Sequence, residues 1–279
     1  MAKQKDLVSI VIPAYNEAKN IGRLLGSIKK QTYSKIETLV VDDGSKDNTI
    51  EICKEHKARV FARSHAERSV QRNFGAKMAK GKYLFFLDAD MELSPKVIAE
   101  CVSVINKKDK MIAATILEKP VASSFWEKTK AFERSFYNIK GDETTDAARF
   151  FDMQTFWKIG GYDEKITGPE DWDLTERLIR KKYKIGVVAA LIYHHEKVPS
   201  LVNLLKKKYY YALKAHRFLK KNKTPVLSAK TIYFLRPVFY KNWRKLISNP
   251  KLSLGMFTML FLEQGAGLVG YLVGLIKNE

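Results

Sequence analysis

Lys82–Pro95 reads KYLFFLDADMELSP. Tyr83 to Leu87 are five apolar residues in succession. A run with no polar position fits a strand buried on both faces, as in a parallel sheet covered by helices. Two carboxylates follow, Asp88 and Asp90, with only Ala89 between them. A charge at the end of a buried strand costs stability unless something pairs it. Two such oxygen ligands at i and i+2 can converge on one hard cation, Mg2+ or Mn2+, which in turn bridges phosphate oxygens. A solvated acidic turn is the plainer alternative, and a tripeptide alone does not decide between them.

The segments on either side supply the context. Upstream, LVSIVI (Leu7–Ile12), IETLVV (Ile36–Val41) and ARVFA (Ala58–Ala62) read as strands, each followed by turn chemistry and a helical pattern. Downstream, Pro95 opens a helix as a first-turn proline, and MIAATIL, AARFFDM and KIGVVAALIYHHE read as further strands. A helix is expected around Ser124–Tyr137, GGYDE is a turn, and EDWDLTERLIRKK is a helix. Strands alternating with helices imply a doubly wound α/β sheet. Ligands of such sheets bind outside the carboxyl ends of the strands, where PAYNE, VVDDGS and DAD fall.

Composition narrows the class. The 279 residues are 46% apolar, enough for one large domain or one domain with an appendage. Two cysteines, Cys53 and Cys101, form neither a disulfide framework nor a metal-ligand spacing and read as reduced thiols. The opening residues MAKQKDLVSIVIPAYNE lack the uninterrupted apolar core of a signal peptide. The net charge of +20 is unevenly placed: residues 1–196 carry 34 Lys and Arg against 28 acids, whereas residues 197–251 carry 15 and no acid. That basic segment points to an anionic surface.

Each candidate site residue has a bland reading beside its functional one. Asp42 and Asp43 can accept from a nucleobase or ribose, and helix capping explains part of that cluster. Arg68 and Arg72 share one helix face, with Asn73 beside them, and suit a diphosphate; a solvated basic face is the alternative. Glu170 and Asp171 open a helix, where the macrodipole favours acids in any case, yet behind Gly168-Pro169 they can present a general base to a cleft. His194 and His195 end the last strand, where an imidazole can complete a metal site.

Taken in order, PAYNE, VVDDGS, QRNFGA, LFFLDAD, GGYDE, EDWDL and YHHE resemble the family 2 glycosyltransferases, over about residues 6–200. The resemblance implies a GT-A fold, with a mostly parallel mixed sheet flanked by helices. Residues 1–200 would form the catalytic domain, and residues 201–279 a basic, aromatic segment with a hydrophobic end. It implies an inverting, Mn2+- or Mg2+-dependent enzyme using a UDP- or GDP-sugar. Pro13, Tyr15 and Glu17 would line the nucleoside site, with Asp42 and Asp43 on base and ribose. Arg72 would lie near the diphosphate. Asp90, Asp88 and His194 would hold the metal, His194 aligning better than His195. Asp171 would be the base, supported by Glu170. Polyprenyl-phosphate sugar synthases and a catalytically silent nucleotide-sugar-binding protein are the competing readings.

The C-terminal third interleaves Leu, Tyr, Phe and Trp with Lys and Arg, the composition of helices in a membrane interface. Nucleic acid is not the expected partner. Leu254–Ile276 is long enough to span a bilayer, but Glu263 lies near its middle, at a cost of roughly 2.5–3.5 kcal/mol. Its five glycines favour a hairpin or an interfacial helix pair over a single span. Attachment is expected at the cytoplasmic membrane face, peripheral or monotopic, with one C-terminal transmembrane helix as the alternative, which suggests a lipid-linked glycan or glycolipid acceptor.

Overall fold

The computed structural model describes residues 6–107, 111–137, 147–198, 200–228 and 231–277. The order of elements is β1 (Val8–Ala14), α1 (Ile21–Lys29), β2 (Ile36–Asp42), α2 (Thr49–Glu55), β3 (Arg59–Ala62), α3 (Arg68–Met78), β4 (Tyr83–Phe86), β5 (Met91–Leu93) and α4 (Val97–Ile105). There follow β6 (Met111–Val121), α5 (Phe125–Arg134), β7 (Phe150–Asp152), α6 (Met153–Lys158), α7 (Glu170–Arg180) and β8 (Lys184–His195). The helices α8 (Leu201–Leu213), α9 (Ala215–Asn222), α10 (Pro237–Lys241), α11 (Trp243–Ile247) and α12 (Pro250–Lys277) complete the chain.

Packing divides the chain into two compact units. The first comprises Met1–Glu118, Ala147–Glu164 and Glu170–His194; the second comprises Lys119–Asp146, Lys165–Pro169 and His195–Glu279. One mixed sheet of eight strands runs in the order β3-β2-β1-β4-β7-β6-β8-β5. Strands β3, β2, β1 and β4 are parallel, whereas β7 joins β4 antiparallel and β5 joins β8 antiparallel. The mixed, mostly parallel sheet expected from the sequence is the one observed, with its parallel strands in the first half of the chain.

In the first unit, alternation along β1 and β4 sends Ile10, Ile12 and Phe85 to one face of the sheet and Val11, Leu84 and Phe86 to the other. Helices cover both faces, which is why the run from Tyr83 to Leu87 contains no polar residue. Gly75 lets α3 lie directly on the sheet, since a Cβ there would overlap Val11 Cγ1. Pro95 lies two residues before α4, whose N-cap is Lys96, so the expected first-turn proline stands just outside the helix.

In the second unit, Ser124 and Glu127 form a capping box at the start of α5. Phe132, Phe136 and Tyr137 then pack with Phe239, Met256 and Leu260. Helix α12 is one uninterrupted helix of 28 residues, which overturns the expected hairpin. Its glycines mark close approaches rather than breaks. Gly255 meets Phe125 and Thr129, and Cβ atoms at Gly270 and Gly274 would collide with the α8 backbone at Tyr209 and Leu213.

Candidate active site

The carboxyl ends of the parallel strands carry the first cluster. Tyr15, half exposed just past β1, places its ring 5.9 Å from that of His65. His65 Nδ1 lies 2.6 Å from Asp43 Oδ2, while Asp43 Oδ1 accepts from the Ala66 amide at 2.8 Å and from the Gln71 amide side chain. Pro13 lies opposite Val41 in the β1–β2 register. The Glu17 amide donates to Thr49, and its carboxylate accepts from Asn20. Asp42 is buried and shapes the turn, its Oδ2 accepting from the Gly44 and Ser45 amides. Gly44 there has φ +83°, the left-handed region that favours glycine.

The second cluster is built on Arg72. Its side chain is 0% exposed and reaches Asp88 Oδ1 at 2.8 Å, Asp171 Oδ1 at 2.7 Å and Glu170 Oε1 at 3.5 Å. Arg68, one turn earlier, lies 3.7 Å from Glu170, so the shared helix face is directed at the acids of α7. Arg72, the residue expected near a diphosphate, holds three carboxylates with its buried fork. Those partners raise its pKa despite burial, which acts the other way, and its carbon Cζ stands 5.2 Å from the Tyr162 ring centre. Burial pushes the Glu170 carboxyl up, Arg68 and Arg72 pulling the other way and Asp171 adding to the rise. Burial also raises Asp88, but Arg72, Arg149, Arg68 and His194 outweigh it and hold the carboxyl well below its usual range.

The GGYDE turn carries part of this arrangement. Asn73 donates to the Tyr162 carbonyl at 2.9 Å and accepts from its amide at 3.0 Å, pinning the turn to α3. Gly160 and Gly161 have φ of +92° and +62°. Burial, with the Asp171 carboxylate beside it, raises the Tyr162 phenol.

The third cluster surrounds Asp90. After β4 the chain turns, with the Met91 amide donating to the Asp88 carbonyl, and enters β5, where Met91 pairs with His194 of β8. That register brings His194 Nε2 to 3.7 Å from Asp90 Oδ1. The other ring nitrogen, Nδ1, lies 3.0 Å from Glu118 Oε2. Arg149 Nε holds the same carboxylate at 2.8 Å, and Arg149 Nη1 stands 3.4 Å from Asp88 Oδ2. Asp88 and Asp90, expected on one ion, thus face different partners. Asp88 sits between two arginines, and Asp90 sits beside the histidine.

Three residues here escaped the sequence: Arg149, Glu118 and His65. Arg149 had a readable signal. In AARFFDM it precedes two phenylalanines whose strand pairs with β4, so it is a second charge at the end of a buried strand. Glu118 and His65 had none, because only β6 and the loop before α3 bring them to their partners. The sequence places selectivity in loops such as YNIKGDETTDAARFF, of which residues 138–146 lie outside the described residues.

A mixed sheet with acids gathered past its parallel strands, facing a buried arginine and an antiparallel histidine strand, defines a protein of the GT-A glycosyltransferase class. The glycosyl transferase family 2 model matches residues 9–159, more than half of the sequence, and the chain belongs to that family. Glycosyltransferase GlyG of Streptococcus pneumoniae is 34% identical over 110 residues, which is 37% of this chain and 36% of GlyG. Among solved structures, the mannosyltransferase PcManGT from Pyrobaculum calidifontis, in complex with GDP-Man and Mn2+, superposes with a TM-score of 0.62. It covers 96% of this chain and 88% of its own at 16% identity. TarS 1–349 of S. aureus in complex with UDP-GlcNAc gives a TM-score of 0.55 at 17% identity, covering 95% and 89%. The chain spans between 34% and 62% of the length of the first three curated relatives.

Proposed function

We propose that this chain transfers a sugar from a nucleoside diphosphate sugar to an acceptor hydroxyl with inversion, Asp171 acting as the base. The observation that carries this reading is the Arg72 clamp. It fixes Asp171, 18% exposed, by one carboxylate oxygen at the start of α7, within the same ion-pair network that holds Asp88. The acceptor oxygen attacks the anomeric carbon as the bond to the diphosphate breaks. Its proton passes to the Asp171 carboxylate, and the electron pair leaves with the diphosphate. Inversion follows from a single displacement. Tyr15, Asp43 and His65 form the surface on which the nucleoside would rest.

The residues present fit a divalent cation. No group of three His, Cys, Asp or Glu ligands occurs among the described residues. The Asp90–His194 pair nevertheless has a separation, 3.7 Å, that suits neighbouring ligands of one ion, each bonded at about 2.1 Å. Such an ion takes one or two protein ligands together with diphosphate oxygens. Asp90 and His194 would hold it, and bound there it would neutralise charge on the departing diphosphate. PcManGT, solved with Mn2+, supports the choice of ion. The basic C-terminal segment supports a lipid-linked glycan or glycolipid acceptor presented at an anionic membrane surface.

Asp171→Asn tests the base. Transfer should fall by roughly 10²- to 10⁴-fold, while nucleoside-diphosphate binding, read by thermal shift with Mn2+, persists. Near-normal turnover on a hydroxyl acceptor would overturn the assignment. Retained transfer to a polyprenyl phosphate would point to the synthase reading instead, since a phosphate nucleophile needs no base.

A further inference from the structure

Helix α12 passes the length and composition test for a membrane span. Its packing within the second unit points elsewhere. Glu263, near the helix middle, is 1% exposed, and its carboxylate lies 3.4 Å from Lys130 Nζ of α5, which also pairs with Glu133 at 2.7 Å. Against the upward push of burial, Lys130 holds Glu133 down at about 2. Helix α8 runs beside α12 in the same direction: Gly267 is nearest Lys208, Gly270 meets Tyr209 and Ala212, and Gly274 meets Leu213. At this level α8 carries Lys206, Lys207 and Lys208, the first two exposed. A spanning α12 would draw this ion-paired cluster and these lysines toward the bilayer centre, where charges are strongly disfavoured, or would have to part from α5 and α8.

The outer face of α12 has a different order. Leu254, Phe261, Leu268 and Leu275 recur every seven residues and are all exposed, with Leu272 and Ile276 beside them. Seven residues is nearly two turns, so the four form one line about 32 Å long down the helix. Charge identifies what meets that line. Lys241, Arg244 and Lys251 are exposed in the segment leading into and opening α12, as are Lys206 and Lys207, and residues 197–251 contain no acid. A continuous apolar line in a unit that also exposes these cations matches anionic lipid headgroups above an acyl boundary.

We infer that α12 lies in the plane of an anionic bilayer, with the Leu254–Phe261–Leu268–Leu275 line immersed, rather than crossing the membrane. The inference deepens the membrane-surface acceptor proposed above and rests on it. The test uses the full chain with a single cysteine placed at 254, 261, 268 or 275. Cys53 and Cys101 are buried and escape labelling in the folded protein. Each variant carries an environment-sensitive fluorophore and is mixed with phosphatidylcholine vesicles, with and without phosphatidylglycerol, bearing shallow or deep quenchers. In-plane docking gives binding only with phosphatidylglycerol and shallow quenching at all four positions. Phe261→Glu with Leu268→Glu should lower partitioning by about 100-fold, roughly tenfold per side chain, at an unchanged melting midpoint. A label at 268 that is deepest, with 254 and 275 near opposite surfaces, would establish a span and overturn the inference. Failure to bind either vesicle, or a soluble dimer broken by Leu268→Glu, would also overturn it. Nucleoside-diphosphate thermal shifts on the same samples report on the donor site separately, so the two readings fail independently.

Discussion

Arg72→Met should destabilise the first unit, and the deficit should depend on pH in a defined direction. In the native protein one buried guanidinium serves Asp88, Asp171 and Glu170. After substitution Asp88 keeps Arg149 at 3.4 Å and Glu170 keeps Arg68 at 3.7 Å, both looser contacts than the Arg72 bonds to Asp88 and Asp171. Removing one partner of a buried ion pair costs about 3–5 kcal/mol. Asp88 and Asp171 are 20% and 18% exposed, so water softens the loss and the lower end, about 3 kcal/mol, applies. At about 2–4 °C per kcal/mol for a unit of this size, the melting midpoint near pH 8 should drop by about 6–12 °C. The sign with pH follows from Asp88. Its folded pKa is depressed, so its contribution is complete above the unfolded value near 3.9 and is lost as pH falls through the folded value. Removing Arg72 takes away the largest charge that lowers Asp88, so in the variant Asp88 protonates earlier on acidification and the repulsion is relieved. The midpoint gap between variant and native protein should therefore narrow as pH falls from about pH 8 towards the unfolded value near 3.9. Scanning fluorimetry at matched ionic strength measures both. A gap under about 2 °C at the higher pH, or one that fails to narrow, would refute the clamp as the organiser of this network.

Glu118→Ala should weaken Mn2+ binding in the presence of a nucleoside diphosphate by about 10- to 100-fold, read by electron paramagnetic resonance, because His194 loses the carboxylate that orients its Nδ1. Unchanged Mn2+ affinity would remove His194 or its orientation from the metal site. Glu170→Gln should raise the melting midpoint at neutral and higher pH. The folded pKa of Glu170 is raised by burial, so its ionised form costs stability once pH exceeds the unfolded value, and the cost is fully present above the folded value. The gain should vanish on acidification below about pH 4, and a loss of stability at neutral pH would show that Arg68 and Arg72 outweigh burial.

Periodicity and strand ends carried most of what could be read in advance. KYLFFLDAD placed β4 and its acids, and spacing placed the helix of Asp171, because both depend on local patterns. What stayed hidden depends on which strands pair. Nothing in YHHE says that His194 will lie opposite Met91, and that register alone sets it beside Asp90. Nothing in TILEKP says that Glu118 will take the remaining imidazole nitrogen. The glycines of α12 misled for a related reason. Glycine weakens an isolated helix, yet within a packed pair it permits the close approach that Gly270 and Gly274 make to α8. Propensity spoke for a break, and packing overrode it.

The divergence of Asp88 and Asp90 has a consequence in charge. Arg68, Arg72 and Arg149 face Asp88, Asp90, Glu118, Glu170 and Asp171 across one connected set of contacts. In that set five carboxylates face three guanidiniums. That surplus is not spread evenly, because Asp88 is held between two guanidiniums while Asp90 has an imidazole beside it. A divalent cation beside Asp90 and His194 would suit both the sign and the ligand types, which is the metal site proposed above. Two acids one residue apart thus have separate partners. Asp88 binds the arginine that also holds Asp171, and Asp90 with His194 is the pair proposed for the metal.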